Sequence, residues 1–188
     1  MKIIKGKNVI LRPRDVKDVD IIVKWYRDKN LMLHYGHEKY RVKALEVRKH
    51  ILGLKKKDSL EKCYMIELLD GNVIGTAGYD INPHHKFVTL YIMIGGRDYQ
   101  GKGYASETIK VLIDFIFKTK KFNRIELGVF IKNKRAFNLY KNIGFIKEGV
   151  CRQAGWNKIT KQFDDMVIMS ILRNEWLKKS SGGESRTV

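Results

Sequence analysis

Cysteine is nearly absent. The chain has two, Cys63 and Cys151, far apart and without the close spacing of metal ligands. A disulfide framework and a zinc site are excluded as organising features, so no metal is expected. The thiols read as reduced, as in a cytoplasmic protein. No apolar run reaches the roughly 18 residues of a membrane-spanning helix. The opening stretch MKIIKGKNVILRPRD has too short an apolar core for a signal peptide. Negative charge is also scarce: 20 Asp and Glu stand against 38 Lys and Arg, a formal net charge of +18. That excess suits a polyanionic ligand, an acidic substrate or a ribosomal surface, and says nothing about fold. Yet no nucleic-acid-binding motif, no aromatic–basic alternation and no internal repeat accompanies it.

What is present is a chain of 188 residues, 44% hydrophobic and 31% charged, long enough for one globular domain with a real core. We expect that domain over residues 1–177. The remainder, 178–188 (KKSSGGESRTV), cannot bury apolar area and reads as a disordered tail. The rest is organised around Gly95 to Thr119, GGRDYQGKGYASETIKVLIDFIFKT. A strand-like run, Val88 to Ile94, enters it. Ile109, Leu112, Ile113, Ile116 and Phe117 leave it with the i, i+3, i+4, i+7, i+8 spacing of a helix. The segment is therefore strand, glycine loop, helix. The first N–H groups of a helix lack intrahelical partners and sit at its positive end, and glycines let that backbone approach a ligand closely. This is a phosphate-binding arrangement.

Three phosphate patterns compete. A P-loop needs G-x-x-x-x-G-K-[ST]; Gly96, Gly101 and Lys102 fit, but position 103 is Gly, so no hydroxyl would hold Mg²⁺. A dinucleotide fingerprint needs a third Gly or Ala where Ser106 stands, in a βαβ unit. Here three strands precede the loop: Cys63 to Leu69, Asn72 to Asp80 after the hairpin signal Asp70-Gly71, and Phe87 to Ile94. That order excludes a simple βαβ domain. The third pattern is Q-G-x-G-x-A, from Gln100 to Ala105. An ordinary glycine turn before a core helix would show much the same letters.

The flanks decide among these. Val9 to Arg12 reads as a strand ended by Pro13. Asp15 can cap a helix faced by Val16, Val19, Ile22, Val23 and Tyr26, and Val42 to Lys57 reads as a surface helix. After the loop helix, Arg124 to Val129 reads as a strand. Asn133 can cap the helix Lys134 to Asn142, and Gly144 can stop it. Phe145 to Cys151 and Phe163 to Leu172 read as two last strands. N-x-x-A-x-x-x-Y-x-x-x-G-F, from Asn133 to Phe145, thus follows Q-G-x-G-x-A one strand later.

In this order the two signatures resemble those of the GNAT superfamily of N-acetyltransferases. Leu11-Arg12-Pro13, Asp15, Asp18, Trp25 and Asp28 resemble the opening of one branch: the N-terminal-amine acetyltransferases of ribosomal proteins and their spermidine and amino-sugar relatives. The resemblance covers roughly residues 8 to 177. It implies an α/β GNAT fold: a mixed, mostly antiparallel sheet of about seven strands with about four helices, splayed beside the loop helix to admit a pantetheine arm. It implies acetyl-CoA as co-substrate and direct attack by an amine. The amides of Gly101, Lys102, Gly103, Tyr104 and Ala105 would bind the pyrophosphate. Gln100 would close the loop, and Lys102 would add charge. A backbone N–H of Met93 or Ile94 would stabilise the oxyanion. Asn133 would bond the cofactor arm. Tyr140 would act as general acid, its phenol of pKa about 10 facing a thiolate of pKa about 8.5. Leu31 to Tyr40 would lie beside the acceptor amine.

The resemblance breaks at the base. Many relatives carry Glu where this chain has Leu90, which leaves Asp80, His84, His85, Asp165, Glu67 or solvent. A protein N-terminus, on a ribosome for example, or an amino sugar suits the basic balance better than a polycation. A non-catalytic CoA- or RNA-binding module is the alternative function. Monomer and homodimer both stay open.

Overall fold

The computed structural model describes residues 1–35, 39–119 and 122–181. Its elements run β1 (Ile4–Lys5), β2 (Val9–Pro13), α1 (Val19–Arg27), α2 (Lys29–Met32), α3 (Ala44–Leu54), β3 (Glu61–Leu68), β4 (Val73–Asn82), β5 (Phe87–Ile94), α4 (Tyr104–Thr119), β6 (Arg124–Phe130), α5 (Lys134–Ile143), β7 (Ile146–Asn157), β8 (Gln162–Leu172) and α6 (Arg173–Ser181). All eight strands form one sheet in the order β1-β2-β3-β4-β5-β6-β8-β7.

Every neighbouring pair is antiparallel except β5 and β6, which are parallel. That pairing lasts for three residues, Phe87 with Arg124 through Thr89 with Glu126. Beyond it the two strands part, while β5 stays paired to β4 as far as Ile94. The splay expected beside the glycine-loop helix is therefore present, and it opens at the end of β5 that feeds the loop.

Two apolar clusters hold the layers. On one face the stripe Ile109, Leu112, Ile113, Ile116 and Phe117 of α4 packs with Tyr64, Tyr79, Leu90, Leu127 and Tyr140. On the other, Ile22 and Trp25 of α1, Met32 of α2 and Ile51 of α3 pack on Met65 and Met93 of the sheet. Leu90 is thus core, which accounts for an apolar residue at that position.

Among the described residues the sheet has eight strands against the seven expected, and there are six α-helices against four. The additions are the two-residue β1, the four-residue α2 and α6. Asp28 caps α2, accepting from the N–H groups of Asn30 (2.9 Å) and Leu31 (3.1 Å). α6 spans the boundary expected at Lys178. Its Trp176 is buried in the main cluster and its indole N–H donates to Asp114 of α4 (2.8 Å). Residues 182–188 lie outside the described residues.

Candidate active site

The splay opens into a cleft of about 1750 Å³ that runs from the glycine loop, past the ends of β5 and β6, to β3 and β4. At the loop, Gly101 and Gly103 have φ of 83° and 86°, the left-handed region that only glycine enters freely. The turn lets the chain reverse into α4 at the cleft, and Gly101, Gly103, Tyr104 and Ala105 all line it. Glu107, the acidic residue of the first turn, is turned away to the N–H groups of Asn8 (2.6 Å) and Val9 (3.2 Å). The anion-binding end of α4 is therefore not neutralised by its own carboxylate.

Gln100 ties the loop down on both sides. Its amide donates to the Ile94 carbonyl (3.3 Å) and accepts from Arg135 of α5 (3.2 Å). Arg135 also lies beside Gly101: a Cβ there would be 3.6 Å from the guanidinium. Lys102 is exposed and does not line the cleft, whereas Arg135 does, so the cationic side chain beside the loop on the cleft side is Arg135. An arginine on the exposed side of an amphipathic helix carries no sequence signal of its own.

The backbone of β5 separates the two oxyanion candidates. The Gly95 N–H donates to Ile74 of β4 (2.8 Å), and the Met93 carbonyl lies against Gly75 of β4. Backbone groups alternate sides along a strand. Met93 therefore faces β4, whereas Ile94 and Ile92 face the gap. Ile94 remains a candidate, Met93 is replaced, and Ile92 joins it.

Tyr140 is buried on α5 and lines the cleft, its ring edge-on to Phe145 at 5.8 Å. Burial pushes its pKa up to about 12. Asn133 does cap α5, accepting from Ala136 N–H (3.1 Å), and its amide also donates to the His34 carbonyl (3.0 Å). One residue thus joins the start of α5 to the segment expected beside the acceptor. Gly36, His37 and Glu38 of that segment lie outside the described residues.

Of the base candidates, Asp80 alone lines the cleft. Glu67 is paired with Arg12 at 2.7 Å, and Asp165 accepts the Gln153 N–H at 2.8 Å. His85 stacks on Phe87 in the β4–β5 turn, and His84 borders a separate hollow beside Asp80.

A second acidic group, not foreseen, accompanies Asp80. Glu61 of β3 is its register partner and also lines the cleft. One Glu61 oxygen accepts from the Tyr91 hydroxyl (2.7 Å) and the other meets His50 Nε2 of α3 (2.6 Å). Burial pushes Glu61 up, but these bonds to His50 and Tyr91 more than offset it and hold the carboxyl at about 2. Asp80 is moved the other way, raised first by burial and then by the Glu61 charge. Tyr91 reaches Glu61 by crossing β4 at Gly78, where a Cβ would meet the Tyr91 hydroxyl at 2.5 Å. Glycine at 78 in a strand signals a bulge or a close approach; here the Tyr91 ring makes that approach.

Comparison with known proteins agrees with this geometry. The family profile "Acetyltransferase (GNAT) domain" matches residues 8–146. The spermidine N(1)-acetyltransferase of Vibrio cholerae is 26% identical over 176 residues, covering 93% of this chain and 99% of that protein. Its crystal structure in complex with CoA and spermine superimposes with a TM-score of 0.83 at 25% identity, covering 92% of this chain and 99% of that one. The [ribosomal protein uS5]-alanine N-acetyltransferase of Escherichia coli is 28% identical over 105 residues, 55% of this chain and 53% of that protein. The chain belongs to the GNAT acetyltransferase family and is an N-acetyltransferase with acetyl-CoA as co-substrate.

Proposed function

We propose that this enzyme acetylates a primary amine of polyamine type, one that carries a second cationic nitrogen. The observation that carries the reading is the pair of carboxylates, Glu61 and Asp80, on one wall of the cleft. Leu90 in place of a carboxylate and the basic balance of the chain weigh against a polycation. Glu61 and Asp80 supply that acidity from β3 and β4 instead. The likeness to spermidine acetyltransferases along nearly the whole chain supports the same acceptor class.

Position gives the pair its role. Asp80 pairs with Thr89, four residues before Met93, or about 13 Å at the rise of a strand. That is too far to take a proton from an amine reacting at the end of β5. It suits a second ammonium on a flexible aliphatic chain. Glu61, held anionic by His50 and Tyr91, provides the fixed charge.

At the other end, acetyl-CoA supplies the thioester. The amides of Gly101 to Ala105 and the Arg135 guanidinium hold its pyrophosphate. The Ile92 or Ile94 N–H donates to the thioester oxygen as that oxygen gains charge. The amine forms the new bond to the carbonyl carbon, the carbon–sulfur bond breaks, and Tyr140 gives its proton to the leaving thiolate. Water in the open cleft takes one proton from the ammonium before the free amine attacks, and the second proton, lost from nitrogen once the new bond has formed, returns through water to the Tyr140 phenolate.

The test is thiol release from acetyl-CoA with polyamines, peptides beginning with Ser, Thr or Ala, nucleotide amino sugars and aminoglycosides. Turnover is expected on polyamines, with KM raised in Glu61→Gln. Turnover confined to peptides or amino sugars would overturn the acceptor assignment.

A further inference from the structure

The acidic wall already holds a cation. Lys39 lines the cleft, and its ammonium stands over the Tyr91 ring, 5.8 Å from the centroid. The Tyr91 hydroxyl is bonded to Glu61, and Glu61 is the register partner of Asp80. The Lys39 charge acts on both carboxylates, adding to the lowering of Glu61 and partly opposing the rise of Asp80. Around this point the groups are therefore Lys39, the Tyr91 face, Glu61 from β3, Asp80 from β4 and His50 from α3.

We propose that the Lys39 ammonium occupies the subsite of the acceptor's second cation, and that Lys39 thereby sets the preference between monocationic and dicationic amines. The inference rests on the polyamine reading of the cleft. An ammonium over one aromatic face beside carboxylates is the arrangement by which proteins hold alkylammonium ligands. Lysine is suited to an occupant that must leave, because its charge sits on a long flexible stem. An incoming polyamine can place its own nitrogen over Tyr91 only if Lys39 swings out, and the two like charges repel while both are near. A monocationic amine leaves Lys39 in place. The residue thus taxes dicationic acceptors and leaves the acidic wall neutralised for the others.

The experiment compares wild type with Lys39→Gln and Lys39→Arg, using spermidine and butylamine as acceptors at fixed acetyl-CoA. Melting temperatures control for folding. Lys39→Gln removes the competing charge and is expected to raise the ratio of kcat/KM for spermidine over butylamine by at least about fivefold, the size of one like-charge repulsion at about 4 Å with full water screening. Lys39→Arg keeps the charge and keeps the wild-type ratio. An unchanged or lowered ratio in Lys39→Gln overturns the inference, as does failure of spermidine turnover in both proteins. If wild type rejects spermidine and Lys39→Gln accepts it, the Lys39 inference stands and the polyamine acceptor of the native enzyme falls.

Discussion

A phenol whose pKa burial lifts to about 12 keeps its proton at neutral pH, so Tyr140 is in the acid form its proposed role requires. Full transfer to a thiolate of pKa about 8.5 is uphill, so in that role the phenol hydrogen-bonds the sulfur and shares its proton while the carbon–sulfur bond breaks. Tyr140→Phe removes one oxygen and keeps the ring against Phe145. Its kcat is expected to fall by about 10²–10⁴, the usual contribution of a general acid, with the acetyl-CoA dissociation constant changed by less than about twofold. Stopped thiol release and calorimetry measure the two separately. Equal losses in both would make Tyr140 a packing residue. Glu61 offers a test of another kind. Its pKa of about 2 lies below the ordinary value of 4.5. A carboxyl depressed in the folded state stabilises the fold above its unfolded pKa, and that contribution is lost as pH falls from about 4.5 toward 2. Wild type is expected to exceed Glu61→Gln in stability at pH 6, with the gap closing through that window. Urea midpoints across pH 2–6 read it directly. A gap that does not change with pH would mean that His50 and Tyr91 hold a neutral carboxyl.

Elements differ in how much of themselves they wrote into the sequence. α4 was legible because its apolar stripe repeats with the helical period and it follows a loop that only glycines can make. α5 was legible at both ends: Asn133 accepts the Ala136 N–H, and Gly144 leaves the helix at φ 124°. α6 was not. From Lys178 on its composition is that of a solvated tail, yet it is docked by Trp176, whose indole joins the main core and bonds to Asp114, and by Lys179, whose ammonium donates to the Ile143 carbonyl (3.1 Å). Local composition carries no trace of a docking contact made 62 residues away. The acidic wall was missed for the same reason. Glu61 and Asp80 are distant in sequence and become neighbours through the β3–β4 register. Two consequences belong to this scale. Trp176→Ala is expected to destabilise by about 3–5 kcal/mol, as deletions of large buried aromatics do, and to free α6 to proteolysis. A small loss would mean that α6 contributes little to the fold. Gly78→Ala forces a Cβ into the Tyr91 ring and the Lys62 carbonyl. It should cost about 1–3 kcal/mol and raise the polyamine KM as Tyr91 is pushed off Glu61. A stable variant with unchanged KM would show that the Tyr91–Glu61 bond has no part in acceptor binding.

The whole molecule sets two charge scales against each other. A net charge of +18 attracts a polyanionic co-substrate and repels a polycationic acceptor, yet the end of the cleft proposed for the acceptor is lined by Glu61 and Asp80. The conflict is resolved by distance. At physiological salt, exposed charges are screened beyond about 8 Å, so the remote lysines act on encounter rates while the carboxylates act on the bound amine. Ionic strength should therefore separate the two substrates. Between about 0.02 and 0.2 M salt the KM for acetyl-CoA is expected to rise, because screening removes the long-range attraction that steers it to the glycine loop. The KM for spermidine should rise less or fall, because the same screening removes a repulsion while the nearby Glu61 contact is only partly weakened. Steady-state kinetics with each substrate varied in turn gives both slopes. A spermidine KM that climbs as steeply as that of acetyl-CoA would mean that the acceptor is drawn in by long-range acidic charge. The local pair on β3 and β4 would then not be what selects it.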